Sequence, residues 1–361
     1  MSGSGRTNLM ALLVNAAAFV VIVAGMRAAS SIIVVLLLAV FISVVITPLY
    51  FGMQRRKIPS WLAMLILIAA MIVLTVSAVA VLGKSVQDFS SNLPRYQQNL
   101  QTQLSGSVDW LRAKGFEIPD DAVGRMLNTK TALTFVGNLL QAVSSLLSQA
   151  FLVLLIVIFI ILEAAVLPAK INAMSAMTPE HRERLRVAVN TFRQYMSIKT
   201  FVSLITGGLV ALLLAVFGID YAILLGVLAF ILNYVPNVGS IIAAIPGIVL
   251  ALIQFGPGMA LGIGAGYLII NTLIGNIWEP RLMGKKMGLS PMILVVSLVF
   301  WGWVLGPVGM LLSVPLTMIF RLILESIEET RDLAALMASS APHASKAEES
   351  AAPPVESSTS D

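Results

Sequence analysis

The sequence predicts an all-α integral membrane fold: a polytopic helical bundle with two Pro/Gly-broken helical hairpins, in an order that suits inverted repeats. Three observations predict it. The 361 residues are 58% hydrophobic and 11% charged, where a soluble domain carries roughly 25% charged residues, so most of the chain belongs in lipid. The apolar residues fall in runs near the roughly 20 residues that a helix needs to cross the hydrocarbon core, and basic residues cluster between the runs. Two of these runs, Leu224–Leu252 and Met292–Leu324, are interrupted at matching places by proline and glycine.

Leu9–Met26 and Ile32–Phe51 read as two spans joined by a tight turn at Arg27–Ser31. The first is expected to be retained, because it is long for a signal sequence and lacks a small-residue cleavage site. Gln54-Arg-Arg-Lys57 then marks the cytoplasmic side. Pro59 opens the third span, Leu62–Leu82, with Trp61 as an interfacial anchor. Gly83–Gln149 is the one long polar insertion. Within it Leu93, Tyr96, Leu100, Leu104, Val108 and Leu111 recur every three or four positions, which predicts an amphipathic helix that ends at Gly115–Pro119. Alternation puts this region on the extracytoplasmic side, with its apolar face expected against a neighbouring subunit.

Ala150–Leu167 is the fourth span. It carries Glu163, and an intramembrane carboxylate is a functional candidate, set against the commoner role of reaching the interface or pairing with a base. A basic cytoplasmic stretch runs to Lys199, and Phe201–Phe217 follows as the fifth span, with Gly207-Gly208 permitting close helix contact. Asn233, Pro236, Asn237 and Gly239 interrupt the next apolar run. Proline removes a donor and clashes with the preceding turn, so the backbone here should be partly unwound. Such a break survives at membrane depth only against protein or a water-filled cavity. Met259–Trp278 is another span, and the charged loop after it leads to the second broken run, where Gly306, Pro307, Gly309 and Pro315 repeat the pattern. Paired interruptions of this kind point to the substrate site of a repeat-built transporter, although tight turns between ordinary helices also need Gly and Pro.

The candidate pathway groups are Asn233, Asn237 and Ser240, with backbone groups freed beside Pro236 and Gly239, and Asn271 and Asn276 on the following span. They offer donors and acceptors without a fixed charge, which suits a small, polar, largely uncharged solute. Interhelical hydrogen bonding is the plainer role for the last two. Glu279 and Arg281 flank Pro280 and either pair across the loop or gate it, and Glu163 and Glu279 are the acids available for proton coupling near the cytoplasmic side.

Several functions are not expected. The chain has no cysteine and only two histidines, so neither a metal site nor a cofactor is anticipated. No P-loop and no G-x-S-x-G elbow occur, which leaves passive or ion-coupled movement rather than ATP-driven transport or enzyme chemistry. The net charge of +5 lies between spans as a topology signal, so nucleic acid is not an expected partner.

Ala229–Ser240 (AFILNYVPNVGS), Gly275–Gly284 (GNIWEPRLMG) and Phe300–Thr317 (FWGWVLGPVGMLLSVPLT) resemble the autoinducer-2 exporter family of bacterial membrane proteins. The likeness covers nearly the whole chain, including the insertion and Glu163, and departs only in a longer polar tail. It implies a multi-pass protein of the bacterial inner membrane, both termini cytoplasmic, that exports autoinducer-2 and assembles as a homo-oligomer, with a pentamer as the expectation. Some proteins resembling this family are assigned sodium or lithium/proton antiport, and a non-transporting scaffold is a third reading. The expected organisation is three spans in 1–83, the insertion in 84–149, the fourth span and basic loop in 150–199, a core with both broken hairpins in 200–326, and a largely disordered cytoplasmic tail in 327–361.

Overall fold

The structure is a computed structural model that describes residues 3–115, 129–164, 179–236, 238–283 and 290–326, together with Thr330, Ala334, Leu336 and Met337. The expected disorder of the tail from Ser339, and the position of Asn237, lie outside the described residues. The described chain is helical throughout, and seven of its helices are long and apolar enough to cross a membrane. The fold is an all-α polytopic membrane bundle.

Helices α1 (Gly3–Ala28) and α2 (Ser30–Arg55) form the predicted hairpin. Helix α3 (Ser60–Ala113) is longer than either element the sequence pattern suggests, because the third span continues straight into the amphipathic stretch through Pro94. Its 54 residues extend about 80 Å, against the roughly 30 Å of a hydrocarbon core, so the distal part stands clear of the membrane. Helix α4 (Thr129–Ala164) returns beside it. Leu82, Phe89, Tyr96 and Leu100 of α3 pack with Leu133, Val136, Leu140 and Val143 of α4 in one buried cluster. The apolar face of the insertion is therefore covered within the same chain at these positions, where a neighbouring subunit had been expected.

Helix α5 (Pro179–Val216) is the spine of the remaining bundle. Helix α6 (Ala222–Leu232) folds back along it, and the two cross glycine to glycine. A Cβ on Gly207 would stand 2.6 Å from the Gly226 carbonyl oxygen, and one on Gly226 would stand 2.6 Å from the Ala211 Cβ. In lipid there is little hydrophobic gain in pressing two apolar helices together, so such close packing is what holds them. The neighbouring Gly208 has open space around it and takes no part.

The first broken hairpin consists of α6 and α7 (Val238–Phe255). With 11 residues, α6 is only about 16 Å long, roughly half a hydrocarbon core. It ends as the Asn233 and Pro236 signals predict, but the break is tighter than an unwound segment. The amides of Tyr234 and Val235 donate to Ile231 and Leu232, and those of Val238 and Gly239 donate to Pro236 and Val235. These donors are spent locally, so the polar character of the break comes from side chains. Gly239 lies so close to the Leu232 carbonyl that a Cβ there would collide with it. Tyr234 packs edge-on against Phe41, midway along α2, with ring centroids 5.3 Å apart.

Helix α8 (Pro257–Asn271) continues into a π-helical segment, Thr272–Trp278, and then the short α9 (Glu279–Met283). The second hairpin is α10 (Pro291–Leu311) and α11 (Ser313–Ser326). Its break falls within α10 at Gly306, whose φ of 69° and ψ of −154° belong to a region that only glycine occupies readily. Gly309 repeats the role of Gly239, for a Cβ there would strike the Trp301 carbonyl. The arms are stapled by Ser297, which donates to the Ser313 carbonyl at 2.9 Å and contacts the Thr317 hydroxyl. The bend of this hairpin lies against the α1–α2 turn, where the Arg27 guanidinium sits 4.7 Å from the Trp303 ring centroid. The first turns of α11 pack Val314 and Met318 on Tyr195 and Met196 of α5.

Candidate functional site

Polar residues on three elements converge where the first hairpin breaks. Helix α5 places Lys199, Ser203 and Thr206 at intervals of four and three residues, a polar stripe on one helix face. The break in the first hairpin brings Asn233 against that stripe, and Asn233 Nδ2 donates to Ser203 Oγ at 2.9 Å. One residue on, the Tyr234 hydroxyl donates to Thr200 Oγ1 at 2.8 Å. From the other side α8 supplies Asn271, whose Nδ2 donates to Ser240 Oγ at 2.9 Å.

Between them lies a small cavity of about 10 Å³, lined by Thr206, Asn233, Ser240, Tyr267 and Asn271 with apolar Val210, Ala229, Ala243 and Ile270. That is room for about one water molecule, so the conformation is a closed one. The Tyr267 side chain reaches into this space. Its residue is 6% exposed, and among the described residues its hydroxyl is the one fully buried side-chain polar atom without a hydrogen-bond partner. An unmet buried hydroxyl costs about 1–3 kcal/mol, so it needs a reason to be there. Gly247 makes the space for it, since a Cβ on Gly247 would lie 2.8 Å from the Tyr267 oxygen.

The π-helical segment separates Asn271 from Glu279. Such widened turns are rare and concentrate at functional sites, because each adds a residue without a full turn and so re-aims the side chains beyond it. Here Glu279 is aimed back at α5. Its carboxylate accepts from Lys199 Nζ at 2.5 Å, and the two side chains are 17% and 5% exposed. The partner of Glu279 is therefore Lys199, one turn from Ser203, and Arg281 stands exposed.

The structure thus brings together Asn233, Ser240 and Asn271 of the residues predicted from sequence. Pro236 and Gly239 shape the turn behind them rather than line the cavity. Asn276 is exposed on the π-helical segment, and Glu163 is exposed near the end of α4. Gly306, Pro307, Gly309 and Pro315 belong to the second hairpin and do not join this cavity. Sequence reading passed over Ser203, Thr206, Tyr267 and the pairing of Lys199. The helical spacing of Lys199, Ser203 and Thr206 was a usable signal for three of them. Nothing in the local sequence distinguishes Tyr267 from an interfacial tyrosine.

Residues 16–329 match the AI-2E family transporter. The chain belongs to that family. Its relatives include the AI-2 transport protein TqsA of Escherichia coli, 40% identical over 83% of this chain and 87% of TqsA. A protein of Haemophilus influenzae is 37% identical over 91% of the chain and 97% of its own length. The Escherichia coli protein YhhT is 35% identical over 83% of the chain and 86% of its own length. An AI-2E family transporter with this architecture moves a solute across a membrane, and the polar cluster at its broken hairpin is one place where the bundle departs from apolar packing.

Proposed function

We propose that this AI-2E family transporter is a secondary transporter that exports autoinducer-2 across the bacterial inner membrane. Both termini lie in the cytoplasm, and the protein works as a homo-oligomer, a pentamer by family resemblance. The observation that carries the reading is the Asn233, Ser240, Asn271 and Tyr267 cluster around a closed cavity. These groups present donors and acceptors with no fixed charge, which matches a small polyhydroxylated molecule. Alternating access has the first hairpin move away from α5 and α8 to admit the solute, with the second hairpin acting as its counterpart in an inverted repeat. Opening exchanges the Asn233–Ser203 and Asn271–Ser240 bonds for bonds to solute, so little hydrogen-bond energy is lost.

The buried Lys199–Glu279 pair favours one further reading, sodium or lithium exchange for protons, since a charge pair beside the pathway is a natural place for an ion to compete. Uptake of labelled autoinducer-2 into inverted vesicles separates the two. Saturable uptake that is lost in Asn233→Ala supports export, and its response to imposed proton and sodium gradients names the coupling ion. Absence of autoinducer-2 flux, with sodium and proton gradients dissipating each other, replaces export by antiport.

A further inference from the structure

A second and larger polar pocket, of about 370 Å³, lies at the opposite end of α6, between the open end of the first hairpin and the membrane-distal part of α3. Its α3 wall is Asp88, Asn92, Arg95 and Asn99, spaced by four, three and four residues so that all share one helix face. The facing wall is Asp220, Tyr221 and Gln254. One bonded network ties the walls together. Asp220 Oδ2 accepts from the Tyr96 hydroxyl at 2.9 Å and from Gln254 Nε2 at 2.8 Å, while the Asp220 amide donates to Gln254 Oε1 at 3.2 Å. The Tyr221 hydroxyl receives Asn92 Nδ2 at 3.3 Å and meets the Tyr96 hydroxyl at 3.3 Å.

The backbone is strained to achieve this. Tyr221 has a φ of 60°, in the left-handed region that non-glycine residues rarely adopt. The strain is held by packing, since the ring of the buried Phe89 lies 6.0 Å from Tyr221 and 5.8 Å from Tyr96. Two tyrosines backed by a rigid phenylalanine make an amphipathic platform, and around it stand amide and carboxylate acceptors with amide, phenol and guanidinium donors. The two carboxylates and the Arg95 cation leave one net negative charge, which disfavours an anion, while amides and phenols supply most of the other lining donors and acceptors.

We propose that this pocket is a second solute site, distinct from the buried cavity, that takes a neutral polyhydroxylated small molecule on the extracytoplasmic face. It rests on the transport reading and topology above and adds an outer station to them. The two sites are joined by α6, whose path from Tyr221 to Asn233 covers about 18 Å. A solute bound in the pocket touches α3 on one side and the hairpin on the other, so it holds the hairpin in its closed position while it is bound.

The natural absence of cysteine makes the site directly testable. A single thiol is introduced by Asn99→Cys in the pocket wall, and by Ser105→Cys farther along α3 as a control. Each is labelled by a membrane-impermeant maleimide added to right-side-out vesicles. Autoinducer-2 and D-ribose are the probes, with inorganic phosphate as the anionic comparison. Labelling of Asn99→Cys is expected to slow about tenfold when probe is present at about ten times its Kd, following 1 + [L]/Kd, with no change at Ser105→Cys. Adding Asp220→Asn, or the surface change Arg95→Ala, removes the protection. Adding Asn233→Ala abolishes flux but leaves the protection intact, which separates failure of this site from failure of the central one. The proposal is overturned by the absence of protection with both neutral probes, by equal protection with phosphate, by an unreactive Asn99→Cys thiol, or by protection that is lost with Asn233→Ala.

Discussion

Replacing Lys199 with methionine tests whether the Lys199 end of the candidate pathway is held by a desolvated ion pair. In the native protein Lys199 Nζ lies 2.5 Å from Glu279 Oε1, and the two side chains are 5% and 17% exposed. Methionine keeps most of the volume of lysine but leaves the Glu279 carboxylate buried without its cation. Loss of one partner of a buried pair costs about 3–5 kcal/mol, and the residual exposure of Glu279 puts the expected cost near about 3 kcal/mol. With each kcal/mol worth roughly 2–4 °C in a chain of a few hundred residues, the Tm should fall by about 6–12 °C. Removing both charges in Lys199→Met/Glu279→Met should recover most of that loss, because the desolvation of both groups disappears along with their attraction. The assay is thermal melting of the purified protein in detergent followed by tryptophan fluorescence. If Lys199→Met melts within about 1 °C of the native protein, or the double variant melts below the single one, the reasoning fails. Surface pairs contribute at most about 1 kcal/mol, so the size of the effect itself reports whether the pair is dry.

Two more outcomes follow from the same geometry. Tyr267→Phe removes a buried hydroxyl that has no partner among the described residues, so melting should show stability unchanged or raised by about 1 kcal/mol while vesicle uptake falls; a loss of stability would mean that the hydroxyl is satisfied. Gly239→Ala and Gly309→Ala each drive a methyl group into a carbonyl on the other side of the break and should cost about 1–3 kcal/mol with loss of flux, whereas Gly208→Ala, which meets nothing within 4 Å, should stay within about 0.5 kcal/mol of native; equal effects at all three positions would refute the close-approach argument.

The sequence by itself determined that this chain lives in a membrane as helices, because continuous apolar runs of span length satisfy their backbone hydrogen bonds in lipid within each run only as helices, whereas barrel strands alternate apolar with polar residues. It also located both hairpin breaks, since Pro236, Gly239, Pro307 and Gly309 act on the backbone within a few residues of themselves. Asn233, Ser240 and Asn271 were legible as candidates for the same local reason: amides and hydroxyls stand out against an apolar run. Tertiary structure alone decided which of them meet. Lys199 and Glu279 are 80 positions apart, and their pairing depends on the π-helical turn at Thr272–Trp278, which no periodicity announces. The buried hydroxyl of Tyr267 and the outer pocket depend on where α8 and α3 lie against the first hairpin. Pattern along a chain fixes which residues share a face of one helix; which faces then meet is settled by packing between elements distant in sequence.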